Sequence, residues 1–531
     1  MKKTFTFLLL LLGMQTIKAQ SRIFNQVADG MSTTTKTIFQ DNAVVGYVAF
    51  TKLEKASKDS FNYKLTIMDE NLNNIGEQTL RDVNLSLSSA GFESDVLCLS
   101  FFSSSVEDES FKTKKSVRDA KENAINTINN KFMTLEGKII KTQIINVDAN
   151  MYIDNSVRNS RSISSQITTN GTVKNVANKG FAFMYADNSK GEVMLYDTKG
   201  ELLWKKTMTK YPVNIMLTNS KGVYVLSKTD RNKSVGEYVL SKNGVYKSVG
   251  DYVLNNYMIE DGKATGEMPI ESDRDATLSV LNFELNPHTN NPYIAGLIVK
   301  NKFKNPNYNT FGILKKGRIK GVYSYTINGT GKKDIVKNYS FYSDMDDIYD
   351  KKGKKLDTKY FTLYDDASQD AEGNMHIAGD YVKRKTRIGG AVLSIIFSPL
   401  LWPPLNYLAK GSGKYRIEEG VVVKQSTKGS LMEERVLEIK KSGYYISRLS
   451  YVSAANSYYS IYDPNSKADY LIYSDGKNNN LYNIKTKKVG RKIPIKEGKN
   501  YQTIAPAKEG HILVIENNYT ERYTKLSIEP I

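Results

Sequence analysis

From residue 20 onward the chain alternates short apolar or β-branched runs with clusters of Asp, Asn, Gly and Lys. Runs of this length bounded by turn residues predict strands. Residues 44–50, 181–185, 222–226, 293–299, 376–382 and 470–473 are of this kind. A second run, a polar turn and a further run then follow. Residues 65–72 turn at 69–71, residues 193–204 at 197–200, and residues 481–489 at 485–487. Apolar runs broken by such turns are antiparallel hairpins.

The best internal match sets Asn291-Pro292-Tyr293-Ile294-Ala295-Gly296 against Asn374-Met375-His376-Ile377-Ala378-Gly379, 83 residues further on. Seven or eight candidate repeats begin near residues 44, 96, 181, 223, 293, 376, 470 and 511, at irregular spacing. Four-stranded sheets of this size cannot bury both faces alone, but stacked radially they bury them against one another. Closing the ring also protects their edges. No Pro/Ser-rich linker splits the chain. The expected fold is all-β: a single closed β-propeller over residues 20–531, with seven blades and eight as the alternative. The final Leu526-Ser527-Ile528-Glu529-Pro530-Ile531 is strand-like up to Pro530 and is expected to pair with the Thr37-Ile38-Phe39 region and close the ring. Two stacked β-sandwiches are the competing architecture.

Three segments break the strand pattern. Within residues 114–130, Val117, Lys121, Ala124 and Ile128 fall at helical spacing with charges between them. This predicts an inserted amphipathic helix packed over an edge of the ring. Lys233-Ser234-Val235-Gly236-Glu237-Tyr238-Val239-Leu240 recurs as Lys247-Ser248-Val249-Gly250-Asp251-Tyr252-Val253-Leu254, which reads as a duplicated hairpin arm. Residues 388–409 carry no charge, yet Lys383, Arg384, Lys385 and Arg387 precede them and Lys410, Lys414 and Arg416 follow. The segment is long enough to cross a bilayer, but Pro399, Pro403 and Pro404 break a single helix. Strands of the same repeat lie on both sides, so the chain must return to the face it left. A hairpin folded near Pro399 satisfies both points, with its basic flanks at an anionic head-group layer. Ile395, Ile396, Phe397, Leu400, Leu401 and Trp402 are then the contacts with a membrane or a partner. The competing reading packs this insertion, residues 384–416, on the ring's own end face or in its channel. An exposed apolar surface of that size is abnormal on a free monomer.

Composition adds a location. Of 531 residues, 40% are hydrophobic and 25% charged, with 35 Tyr and 19 Phe, the balance of a folded chain. Lys2 and Lys3 precede an apolar run over residues 7–12, and Ile17-Lys18-Ala19-Gln20 offers a small residue before a cut. Residues 1–19 therefore read as a secretory signal. No Cys directly follows the apolar run, so a lipoprotein anchor is not expected. A single cysteine excludes a disulfide framework and a Cys-rich zinc module. Net charge is +19. Such a field favours anionic partners, but the basic residues are spread along the chain, as on an ordinary solvated surface. The expected partner is an envelope protein or an anionic membrane surface, with a glycan as a further candidate and no nucleic acid.

No catalytic constellation is legible. His288, His376 and His511 are far apart and form no H-E-x-x-H. His376 sits in a predicted strand and reads as a packed core residue. Cys98, inside an apolar strand, reads as a buried small hydrophobe. Gly329-Thr330-Gly331-Lys332 and Gly411-Ser412-Gly413-Lys414 lack the first glycine of a phosphate loop. Asp344, Asp346, Asp347 and Asp350 could offer Ca²⁺ several oxygens. The EF-hand pattern fails at Ile348, and neighbouring lysines make solvated loop charge the simpler reading. Asp365 and Asp366, near Tyr360, Phe361 and Tyr364, would suit a sugar but read as an ordinary strand end. No metal or cofactor is expected.

The Ala19-Gln20 junction, the turn and strand over 370–379, and the hairpin over 196–204 together resemble the exported β-propeller-like proteins of Gram-negative bacteria, a class of unknown function. The hairpin is similar to the repeats of quinoprotein-type propellers. Their regular Trp positions are missing, because Trp204 and Trp402 are the only tryptophans. A quinone-dependent dehydrogenase is therefore not implied. The resemblance implies a fold and an envelope location, periplasmic or outer-membrane-associated, and fold does not imply function. The functional expectation is a non-catalytic binding or scaffold protein of the cell envelope, attached through the 388–409 loop. The alternative is a glycan-processing enzyme with carboxylates on one propeller face.

Overall fold

The computed structural model describes residues 20–25, 33–57, 60–105, 124–147, 171–186, 191–208, 211–228, 239–240, 246–247, 252–274, 276–300, 319–329, 331–350, 353–385, 413–440, 442–446, 458–495, 500–518 and 520–531. These residues build eight antiparallel sheets of four principal strands, each a propeller blade. In blades 1 to 7 the four strands follow one another in the chain, and the first strands of successive blades neighbour one another around the axis. Blade 4 also carries a two-stranded ladder between Val239–Leu240 and Tyr246–Lys247 in the connection after its second strand.

The eight repeat starts read from the sequence all fall in second strands: Ala43–Ser57, Val96–Ser104, Gly180–Ala186, Gly222–Lys228, Pro292–Lys300, Met375–Lys385, Ala468–Ser474 and His511–Asn518. The ring therefore has eight blades and not seven. Second strands stand out because neighbouring blades cover both their faces, so they read as near-continuous apolar runs. Every residue of Gly180–Ala186 except the last is buried. Fourth strands lie on the perimeter, and Asn74–Asp82 alternates between exposed and covered residues. Alternation distributes one strand between two interfaces. In Ala43–Ser57, Tyr47 and Ala49 join the core between blades 8 and 1, whereas Val48 and Phe50 join the core between blades 1 and 2.

Closure differs from the sequence expectation. Tyr523–Pro530 pairs with Gln20–Asn25, from Gln20 opposite Ile528 to Asn25 opposite Tyr523. Residues 37–39 instead belong to Thr33–Gln40, the first strand of blade 1, which lies at the axis. The N-terminal strand is thus the outermost strand of blade 8, whose other strands are Asn500–Pro506, His511–Asn518 and Tyr523–Pro530. Arg22 donates to the Leu72 carbonyl at 3.3 Å and Lys508 to Asn71 at 2.6 Å, joining blades 8 and 1.

The helix expected over 114–130 is corrected in its second half. Ile128 lies in the strand Asn126–Thr134, where Asn126, Ile128, Asn130 and Phe132 are buried at a period of two. Pairing with Val96–Ser104 on one side and Ile139–Val147 on the other overrides the helical spacing. Val117 and Lys121 lie outside the described residues.

Antiparallel order sorts the connections by face. Those from first to second and from third to fourth strands are two to seven residues long and share one end of the ring. Every longer connection leaves from the opposite end: 105–125, 148–171, 229–251, 301–318, 342–360, 386–412 and 438–458.

Candidate functional site

Ile395, Ile396, Phe397, Leu400, Leu401 and Trp402 lie outside the described residues, but the strands that carry their segment do not. Met375–Lys385 leads into it and Gly413–Gln425 leads out, with Lys385 opposite Lys414 and Lys383 opposite Arg416. Ser442–Ile446 pairs with the same stretch, Tyr445 opposite Lys414 and Gly443 opposite Arg416. The chain therefore leaves and returns at paired residues on the long-connection face. Like charges opposite each other on a ladder are unfavourable. Among the described residues, Arg416 Nε lies 3.4 Å from Glu418, and the Lys383 ammonium lies 5.6 Å from the Tyr360 ring centre.

A second site lies on the first strands of blades 5, 6 and 7. In Ala276–Leu285 and Phe361–Gln369 the ladder shifts register between Val280 and Asn282 and between Tyr364 and Asp366. Each bulge sits opposite a second-strand glycine, Gly296 or Gly379. A Cβ there would come 1.9 Å from the Ser279 carbonyl or 2.2 Å from that of Leu363. Bulges re-aim the residues that follow them, and here they set Asn282 beside Asp366. The Asn282 amide donates to Asp366 Oδ1 at 2.6 Å and to Glu284 Oε1 at 3.3 Å. Its oxygen accepts from Ala367 N at 3.1 Å. Ser460 of blade 7 donates to Asp366 Oδ2 at 3.1 Å. The Tyr293 hydroxyl lies 3.0 Å from Glu284 Oε2 and 3.0 Å from the Ala367 carbonyl.

Charges on other first strands act on this pair. Lys174 of blade 3 interacts with Glu284 of blade 5, and Lys36 of blade 1 with Lys174. Lys174 and Glu284 keep solvent-accessible surface. Both stand on first strands, which line the axis with the first strands of the neighbouring blades on either side. The crowding raises the Glu284 pKa to about 7, with the Asp366 charge adding to it. Burial also holds Lys174 and Lys36 below the ordinary lysine range.

On the short-turn face, blades 5, 6 and 7 are stitched together by charge. His376 Nε2 lies 3.0 Å from Asp370 and Nδ1 lies 2.6 Å from Glu434. Carboxylates on both nitrogens favour the doubly protonated ring. Burial lowers the His376 pKa, but the two carboxylates outweigh it and the net direction is up. Asp370 is pulled to about 2, despite burial, by hydrogen bonds from His376 and Asn374. Lys424 approaches Asp370 at 3.7 Å, and Lys487 approaches Glu434 at 3.4 Å. Nearby, His288 Nε2 meets Asp469 at 2.7 Å. The core position expected of His376 is correct, but it is an ion-paired core position.

The remaining candidates are accounted for locally. Asp344 takes both terminal nitrogens of Arg274, at 2.9 and 2.7 Å. Asp350 accepts from Lys354 N at 2.9 Å. Among the described residues, no group of three or more His, Cys, Asp or Glu could hold a metal ion. Cys98 is buried, which pushes its thiol pKa up. Among the described residues, no helix is long and apolar enough to cross a membrane.

No protein-family model and no curated protein matches the chain. Similar solved structures include the WD40 domain of SCAP from fission yeast, at 8% identity and TM-score 0.38, over 96% of this chain and 98% of that one. Hydrazine synthase of Kuenenia stuttgartiensis is similar at 12% identity and TM-score 0.33, over 86% and 94%. A protein of unknown function from Bacteroides caccae is similar at 9% identity and TM-score 0.24, over 62% and 82%. At these scores the likeness carries no argument about activity, and the propeller assignment rests on the chain's own strand order.

Proposed function

We propose that the chain is a non-catalytic binding and scaffold protein of the bacterial cell envelope. It attaches through its long-connection face to an anionic membrane surface or an envelope protein. One observation carries this reading. The uncharged residues 388–409 are bracketed by the opposed pairs Lys383–Arg416 and Lys385–Lys414. An apolar segment on a basic base has the charge order of a loop that seats in an anionic interface. Export is supported by the signal pattern of residues 1–19. The closing strand begins at Gln20, directly after that pattern.

The test is flotation of residues 20–531 with vesicles of phosphatidylethanolamine and phosphatidylglycerol, beside a variant with 388–409 replaced by a Gly/Ser linker. Flotation of the wild type alone, with the variant folded, is the expected result. If neither floats and the variant unfolds, the segment is core and the attachment reading fails.

A second reading, a glycan-processing enzyme, is favoured by Glu284. A carboxyl group protonated near neutrality suits a general acid, and Asn282 links it to Asp366. Release of reducing ends from envelope glycans, abolished by Glu284→Gln, would establish it. No release by the wild type would remove it.

A further inference from the structure

We infer that the perimeter of blade 2 is a self-association surface, on which a second copy of this chain adds its own Ile139–Val147 strand, antiparallel about a two-fold axis at Ile144. Ile139–Val147 is the outermost strand of its blade, and among the described residues no strand pairs with its outer side. Backbone groups on such an edge are a template for another strand. The side chains add an apolar surface. Ile139, Ile140 and Ile144 are 36%, 45% and 64% exposed. Ile144 stands opposite Asn129 and Ile139 opposite Met133. Both therefore lie on the face that carries Met133 into the core between blades 1 and 2. Ile75 of blade 1 is exposed too. A Cβ on the next residue, Gly76, would come 2.1 Å from the Leu135 carbonyl, so Ile75 stands beside the turn that leads into Ile139. Exposed aliphatic groups gathered in this way mark an interaction surface.

The strand's own sequence selects the occupant. At nine residues it is as long as Asn74–Asp82, the outer strand of blade 1, but that strand carries Glu77, Arg81 and Asp82. The outer strands of blades 4 and 7 contain Pro269 and Pro494, and that of blade 6 carries Glu433, Glu434 and Arg435. Such charges and prolines blunt an edge. In Ile139–Val147 the only charge is Lys141, and Glu201 of blade 3 pairs with it at 2.6 Å. Gln143 donates to the Gly200 carbonyl at 2.9 Å. These contacts anchor one face of the strand on blade 3 and leave Thr142, Ile144 and Asn146 on the other. The ladder bulges at Ile140 and is regular from Lys141 to Val147. Laid antiparallel on itself about Ile144, this stretch sets Gln143 against Ile145, Thr142 against Asn146 and Lys141 against Val147. No like charges meet, and the most exposed side chain of the strand meets its own copy. A two-fold contact requires a patch that complements itself, and this one does.

The experiment is sedimentation velocity on residues 20–531, from micromolar to submillimolar concentration. A reversible equilibrium between monomer and dimer is expected. Ile144→Lys sets like charges opposite each other at the axis and should weaken the dimer at least tenfold. Because Ile144 is mostly exposed, the dilute variant should keep the wild-type Tm, which shows that it folds. Ile144→Cys should give a disulfide-linked dimer on mild oxidation, since directly opposed residues hold their Cβ atoms about 4.5–5.5 Å apart, close to disulfide reach. Leu203→Cys, at an exposed position on the outer strand of blade 3, should not cross-link, and the native Cys98 is buried. The inference is overturned if the wild type sediments as a monomer throughout, the result expected of an edge that takes a foreign strand. It is also overturned if Ile144→Lys leaves the equilibrium unchanged, or if Leu203→Cys cross-links as readily as Ile144→Cys.

Discussion

Replacing His376 with Ala removes the cation from between two carboxylates inside the short-turn face. Its side chain is 4% exposed, and those of Asp370 and Glu434 are 12% and 3% exposed. Removing one member of a buried charge cluster costs about 3–5 kcal/mol, chiefly because the partners are left uncompensated. Lys424 and Lys487 remain at 3.7 and 3.4 Å, so the lower end, about 3 kcal/mol, applies. A chain of this size has an unfolding entropy of about 1 kcal/mol/K, and Tm should fall by about 3 °C. The pH dependence identifies the cause. His376 has a raised pKa, so its contribution is full below its unfolded value near 6.5 and is lost as pH rises through the folded value. Asp370 and Glu434 are depressed. Their contribution is full above unfolded values near 4 and is lost as pH falls. The gap between wild type and variant should peak between about pH 5 and 6.5 and narrow on both sides. Calorimetric melts from pH 3 to 9 measure it. A gap that stays constant across that range, or a shift below about 1 °C at pH 6, refutes the ion-pair account.

Two further outcomes follow from the channel wall. The raised pKa of Glu284 means the folded state holds a proton that the unfolded state releases between about pH 4.5 and 7. Stability should therefore decline as pH rises through that window. Glu284→Gln should abolish that part of the slope in Tm against pH, and parallel slopes would contradict it. Gly379→Ala forces a Cβ against the Leu363 carbonyl at the bulge that aims Asp366. Urea unfolding should show a loss of about 1–3 kcal/mol, and an unchanged midpoint would mean that the bulge yields freely.

Legibility in the sequence followed burial. Second strands such as Gly180–Ala186 are covered on both faces and announce themselves as apolar runs, so all eight positions are visible. The closing strand Gln20–Asn25 is mostly exposed and carries only two apolar residues, Ile23 and Phe24, which gives no comparable signal. Lys174 and Glu284 look like ordinary surface charges, because nothing local distinguishes an axis-facing residue from an outward-facing one. Asp366 stands out in the sequence beside Asp365 and three aromatics, yet its role depends on Asn282, 84 residues away. The two are brought together by a register shift that composition does not encode. The false helix near Ile128 has the converse cause: a local spacing matched a helix while two long-range pairings required a strand.

The outermost strand of blade 8 also constrains the order of events during folding. Gln20–Asn25 precedes blades 1 to 7 in the chain, but its partner Tyr523–Pro530 follows them. Seven blades can assemble from sequence neighbours as they appear, and only the eighth joins segments some five hundred residues apart. Bringing those ends together carries the largest loop-closure cost in the molecule, so the ring is expected to lock in one late step. Until then an early segment must stay unpaired while some five hundred residues fold around it, and an open blade edge offers any neighbouring chain a place to add a strand. A helper that shields this strand would speed assembly without touching a single core residue.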